Sequence, residues 1–153
     1  MKLEQEEKMT SATPLMAGKK GLIMGVANDR SIAWGIAKAS REQGAELAFT
    51  FQGEALQKRV EPLAKSVGSN IVLPCDVTDE DSMDLVFQEI GSKWGNLDFL
   101  VHAIAYSDKT ELKGGYIDTT PANFQMTMNI SCYSFTALCQ RARPLMKNGG
   151  SLL

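Results

Sequence analysis

The residues best suited to chemistry stand at the ends of short apolar runs. The first group is Gly25-Val26-Ala27-Asn28-Asp29-Arg30-Ser31-Ile32-Ala33-Trp34-Gly35. Glycine permits a tight bend after a strand, and small residues let a phosphate approach the main chain. The start of the helix that follows offers free N–H groups and a positive dipole end. The turn is not G-x-G-x-x-G, and the same residues also read as a plain turn between strand and helix in any α/β protein. The second group is Gln52-Gly53-Glu54, with Arg59 close by. A dinucleotide-binding strand normally ends here near an acidic residue that takes the ribose hydroxyls. Glutamine can hydrogen-bond an adenosine without a charge to repel a 2′-phosphate, and the bland alternative is a solvated loop amide. The reading is NAD rather than NADP.

The third group is Cys75-Asp76-Val77. At the carboxyl end of a strand Asp76 can accept from an adenine amino group, with the Val77 amide beside it. Alternatively Asp76 only helps to open the next helix. The fourth is His102-Ala103-Ile104-Ala105, where small residues suit close passage of a ribose and nicotinamide. His102 is the only histidine of the chain. It has no carboxylate partner and no metal-ligand spacing, so it reads as structural. Cys75, Cys132 and Cys139 form no C-x-x-C. Cys132 and Cys139 lie ~10 Å apart along a helix, too far for a disulfide. Three free thiols in a reducing compartment, and no metal site, are expected.

These groups need a scaffold, and the pattern supplies one. Strands are expected at 21–25, 46–51, 70–74 and 97–103, and a last one begins at Ser151. Helices are expected at 31–43, 54–65, 78–94 and from Thr120-Pro121 to about Met146. Pro62 warns against continuity in the second helix. In the third, Thr78 can cap, and Asp79, Glu80 and Asp81 favour the positive dipole end. The alternation predicts an α/β fold, a Rossmann-like, doubly wound parallel sheet. Residues 1–17 are expected to be a flexible N-terminal tail, and 18–153 an incomplete, C-terminally truncated Rossmann-type dinucleotide-binding domain. The long helix carries two apolar stripes. One is Phe124, Met128, Ser131, Phe135, Leu138, Ala142 and Leu145; the other is Met126, Ile130, Tyr133 and Ala137. One stripe can pack on the sheet, and the other needs a cover from more chain or another subunit. The chain therefore reads as the N-terminal part of something longer, and alone it is expected to aggregate or order only in part.

The 153 residues allow one domain, and 44% hydrophobic and 22% charged residues are ordinary for a globular protein. The formal net charge of −2 leaves no basic excess for nucleic acid. No apolar run approaches the ~20 residues that span a bilayer, so no membrane association is expected. The start, Met1-Lys2-Leu3-Glu4-Gln5-Glu6-Glu7-Lys8, has no apolar core of a signal peptide. A cytoplasmic protein is expected.

Taken together, these residues resemble the short-chain dehydrogenase/reductase superfamily, and within it the bacterial enoyl-[acyl-carrier-protein] reductases of type II fatty-acid synthesis. The resemblance lies in Gly25-x5-Ser31-Ile32-Ala33-x-Gly35, then the run from Gly44 to Gln52, then Cys75-Asp76-Val77. Val101-His102-Ala103-Ile104 and Ile130-Ser131-Cys132-Tyr133-Ser134-Phe135 complete it. The resemblance implies NADH-dependent reduction of a trans-2-enoyl thioester carried on acyl carrier protein, by a homotetramer when full length. It implies that Gly25, Ser31 and Ile32 line the pyrophosphate and that Gln52, Asp76 and Val77 hold the adenosine. Ile104 would lie on the nicotinamide side and Ser107 near the substrate. The family's catalytic Tyr-x6-Tyr-x6-Lys follows the fifth strand and is not among these residues. Tyr106, Tyr116 and Tyr133 do not replace it; seven residues after Tyr133 stands Gln140. Asn129 resembles the helix asparagine of the superfamily's catalytic set. No residue of the chain is expected to be catalytic on its own.

Overall fold

Alternate residues of the inner strands feed two separate cores, and this is what places helices on both faces of one sheet. The computed structural model describes residues 13–153. Its strands are β1 (Lys20–Met24), β2 (Glu46–Phe51), β3 (Ile71–Pro74), β4 (Phe99–His102) and β5 (Ser151–Leu152). They run parallel in the order β3-β2-β1-β4-β5. The helices α1 (Ile32–Glu42), α2 (Gly53–Ser66) and α3 (Glu80–Trp94) connect the first four strands. Between β4 and β5 come α4 (Pro121–Met128), a π-turn (Asn129–Tyr133) and α5 (Ser134–Ala142).

Ile23, Phe49 and Val101 point to one side, where they meet Ala33, Trp34 and Ala37 of α1 and Val60 and Ala64 of α2. Leu22, Met24, Ala48 and Leu100 point to the other. There Val86, Phe87 and Ile90 of α3 and Leu138 and Ala142 of α5 cover them. A parallel sheet covered on both faces is the doubly wound arrangement expected from the alternation. Residues 1–12 of the expected tail lie outside the described residues. The next stretch forms a turn that the Met16 amide ties to the Gln43 carbonyl at 2.8 Å.

The helix boundaries show where local chemistry won and where it was overruled. The cap of α3 is Asp79, not Thr78: its carboxylate accepts from the Asp81 and Ser82 amides. Thr78 is drawn away because its own amide and hydroxyl both donate to Asp76 Oδ1, at 2.8 and 2.6 Å. Helix α2 runs unbroken through Pro62. That proline is exposed, so water can serve the carbonyl that loses its amide partner.

The long helix departs most from expectation, because neither apolar stripe keeps to one face. Of the first stripe, Leu138 and Ala142 are buried while Phe124 and Met128 are 47% and 42% exposed. Of the second, Ala137 is buried and Tyr133 is exposed. The π-turn is the cause. At ~100° per residue, an unbroken α-helix would set Asn123 and Ala142 about 100° apart. One extra residue in the π-turn removes that offset, and both side chains are buried.

Candidate functional site

The carboxyl ends of β1 to β4 open into a cavity of about 710 Å³. That is within the usual range for a small-molecule or cofactor site. Gly25, Gln52, Asp76, Val77 and Ile104 all line it. The sheet order explains how residues so distant in sequence meet: each follows a neighbouring strand. Gly25 has φ +97°, a conformation that favours glycine. A Cβ there would run into the Ala103 carbonyl, so the turn after β1 lies directly on the backbone leaving β4.

Gln52 and Asp76 are not independent. Gln52 Nε2 donates to Asp76 Oδ2 at 2.9 Å. The Thr78 hydroxyl and amide hold the Asp76 carboxyl below the ordinary carboxylate range, and Gln52 adds to this. An ionised carboxylate has about four acceptor positions. Thr78 takes Oδ1 twice and Gln52 takes Oδ2 once, which leaves one position on Oδ2 of this cavity-lining residue without a protein donor. The Cys75 thiol beside it is buried, and burial together with the Asp76 charge pushes it up to about 11. It is a wall atom, not a nucleophile.

Helix α1 has no side-chain cap, and neither has α2, whose N-cap Gln52 lines the cavity. Ser31 is the N-cap of α1, but its side chain makes no cap hydrogen bond. Its hydroxyl donates instead to the Asn28 carbonyl at 2.7 Å. Helices α3 and α4 are capped by Asp79 and Thr120 side chains. The first-turn amides of α1 therefore lack the acceptor those helices have, which suits an anion. Neither Ser31 nor Ile32 is among the cavity lining, and Ile32 is 79% exposed. Ser107 also stands apart. Its hydroxyl meets Asn123 Oδ1 at 3.3 Å and Thr127 Oγ1 at 3.0 Å, which ties the loop after β4 to α4.

The structure adds lining residues that the sequence reading did not single out: Thr50, Leu56, Tyr106 and Ile130. Thr50 could have been found from the register of β2, one turn of alternation before Gln52. Ile130 could not, because it reaches the cavity only through the π-turn. His102 hydrogen-bonds Ser134 Oγ at 2.7 Å, and burial lowers its affinity for a proton below the ordinary value of 6.5. Asn129 is exposed, as is Tyr133. Among the described residues, no group of three or more His, Cys, Asp or Glu side chains could hold a metal ion. No helix among the described residues is long and apolar enough to cross a membrane.

Residues 25–153 match the family described as "Enoyl-(Acyl carrier protein) reductase". Among similar proteins, the enoyl-[acyl-carrier-protein] reductase [NADH] 2 of Rhizobium meliloti is 63% identical over 139 residues, covering 91% of this chain and 52% of that protein. The corresponding NADH enzyme of Aquifex aeolicus is 47% identical over 133 residues, covering 87% of this chain and 49% of that one. A solved reductase from Anaplasma phagocytophilum, in complex with NAD, superposes with a TM-score of 0.85 at 58% identity. That likeness covers 88% of this chain and 52% of the other. The chain spans about half the length of the curated relatives it matches. With so long a stretch matched, and the strand order and cavity that go with it, the chain belongs to the enoyl-(acyl carrier protein) reductase family.

Proposed function

We propose that the whole protein reduces trans-2-enoyl thioesters on acyl carrier protein with NADH, and that these residues form its dinucleotide-binding half. The observation that carries this reading is the coupled Gln52–Asp76 pair, with one acceptor position left over, in a cavity that Ala103–Tyr106 also line. NADH, when bound, supplies a hydride to the β-carbon of the enoyl group. Asp76 accepts from the adenine amino group, Gln52 fixes that carboxylate, and the Val77 amide borders the ring. Gly25 lets the main chain approach the pyrophosphate, and the first turn of α1 at Ser31 and Ile32 offers its amides. Ile104 bounds the nicotinamide, and Ser107 marks the entry side for the thioester. The small side chains of Ala103 and Ala105 would let a bound nicotinamide approach the backbone, and Ile104 would help to exclude water there.

Stabilising and protonating the developing enolate falls to the Tyr-x6-Tyr-x6-Lys set, which these residues do not contain. The 153-residue chain alone therefore does not turn over. The intact protein works in the cytoplasm as a homotetramer, with the exposed face of Phe124, Met128 and Tyr133 covered by a neighbouring copy. The test is to read the coding sequence past codon 153 and assay its product. The proposal expects the frame to continue into Tyr-x6-Tyr-x6-Lys and the product to oxidise NADH only when an enoyl thioester is present. An intact product that oxidises NADH with a different substrate class, or turnover by the 153-residue chain itself, overturns it.

A further inference from the structure

Two hydroxyl groups join the π-turn to the strand that builds the cavity wall. β4 ends at His102, and the residues that follow it, Ala103–Tyr106, line the cavity. Ile130, from the π-turn, lines the same cavity. Ser134 Oγ lies 2.7 Å from His102 Nε2 and 2.6 Å from the Ile130 carbonyl. Ser131 Oγ lies 3.1 Å from the Tyr106 amide and 3.3 Å from the Tyr106 carbonyl. The wall segment is thus tied at Tyr106 to the π-turn and, through the preceding His102, to Ser134 at the start of α5, whose hydroxyl reaches back to Ile130 of the turn.

Proton counting fixes the direction of the first link. A hydroxyl carries one proton, and a carbonyl only accepts. The Ser134 proton must go to the Ile130 carbonyl, because two oxygens that close repel without one. His102 is then the donor, through Nε2–H. Ser134 is 1% exposed, so it has no water to replace a lost partner. The His102 ring is further fixed by an edge-on contact with Phe135, with centroids 5.7 Å apart. π-turns are rare and occur mostly as single-turn interruptions of an α-helix, frequently at functional sites, and here the Ser131 and Ser134 ties stand at the extra residue.

We propose that His102 is a positioning residue: by donating to Ser134 it holds the π-turn that sets Ile130 against the Ala103–Tyr106 wall of the dinucleotide cavity. The inference rests on the NADH reading above for its consequence, but not for the tie itself. The test compares the protein with its His102→Leu, His102→Gln and Ser134→Ala variants, and with the His102→Leu/Ser134→Ala double variant. Each is read by NADH titration and by amide hydrogen exchange over residues 129–135. Loss of one such hydrogen bond is expected to weaken NADH binding about tenfold in His102→Leu. Exchange over 129–135 rises while β1 and β2 stay protected. Glutamine also presents an Nε2 donor, and His102→Gln brings affinity back to within about threefold of the unmodified protein. The double variant binds no more weakly than the weaker single, because both break one chain. Ser134→Ala gives the same exchange signature, and it is the deciding variant if His102→Leu does not fold.

His102→Gln as weak as His102→Leu overturns the proposal, as does unchanged exchange over 129–135 in both His102→Leu and Ser134→Ala. If the folded, unmodified protein binds no NADH, the dinucleotide reading has failed. The exchange arm alone then decides whether His102 holds the turn.

Discussion

The crevice at the ends of β1 to β4 and the outer face of α4 and the π-turn are built to opposite standards. In and beside the crevice several polar side chains have partners within the chain: Asp76 with Thr78 and Gln52, Ser31 with Asn28, His102 with Ser134. Its floor stands on β1, β2 and β4, whose side chains are mostly buried, and on the half-buried β3. The outer face shows Phe124, Met128 and Tyr133 to solvent at 47%, 42% and 54% exposure. The difference teaches which part of the protein these residues complete by themselves. The strand-end crevice is held by contacts within the chain, whereas the helix face is an apolar surface that a neighbouring copy covers in the proposed assembly.

The comparison can be broken most severely at Gly25. A Gly25→Val variant places a β-branched residue at φ +97° and drives its Cβ into the Ala103 carbonyl. It should lose about 3 kcal/mol or more of stability in urea denaturation, together with all nucleotide binding. A native-like midpoint would mean that the turn after β1 is looser than the structure shows.

The same long helix offers the next test. Leu138→Ala, in the buried half, should cost about 2–5 kcal/mol. Phe124→Ser, in the exposed half, should stay within about 0.5 kcal/mol. The order reverses in sedimentation: Phe124→Ser and Tyr133→Ser reduce self-association of the chain, and Leu138→Ala does not. Equal destabilisation by Leu138→Ala and Phe124→Ser would erase the distinction between the two halves.

That helix also marks the limit of what could be read in advance. The buried strands were legible because each is a short apolar run bounded by glycine, proline or an acidic cluster. The parallel, doubly wound sheet follows from their alternation with helices, whereas the order β3-β2-β1-β4-β5 does not. Five of the expected site positions reach one cavity, because each lies at a strand end and strand ends converge in this fold. The π-turn was not legible. Nothing in Asn129-Ile130-Ser131-Cys132-Tyr133 disfavours an ordinary α-helix. The ties that accompany the extra residue, from Ser134 to His102 and from Ser131 to Tyr106, span 32 and 25 positions. For the same reason His102 reads only as a structural histidine without a carboxylate partner: the Ser134 hydroxyl that it meets stands 32 positions away, at the start of α5. Thr78 was misread as a cap because its competing bonds to Asp76 outweighed the end of α3.

The smallest effect expected is in pH dependence. Burial lowers the His102 pKa from its ordinary value of 6.5, so the folded chain binds a proton there less readily than the unfolded chain. The stability this contributes is complete above about pH 6.5 and is lost as pH falls from there toward the lowered folded value. Asp76 is also lowered, but its loss begins only near the ordinary 3.8. Denaturation midpoints should therefore fall modestly between pH 7.5 and 5.5, and His102→Gln should flatten that slope. A slope unchanged in His102→Gln would place the titrating group elsewhere.

The central claim is that these residues hold NADH, and equilibrium titration of the folded chain tests it most directly. NADH and NADPH should each be titrated against the unmodified protein and its Asp76→Ala variant. The account predicts saturable NADH binding, weaker binding of NADPH, and about a tenfold loss for NADH when the Asp76 carboxylate is removed. A folded chain that binds neither nucleotide, or that binds NADH equally well without that carboxylate, would contradict it.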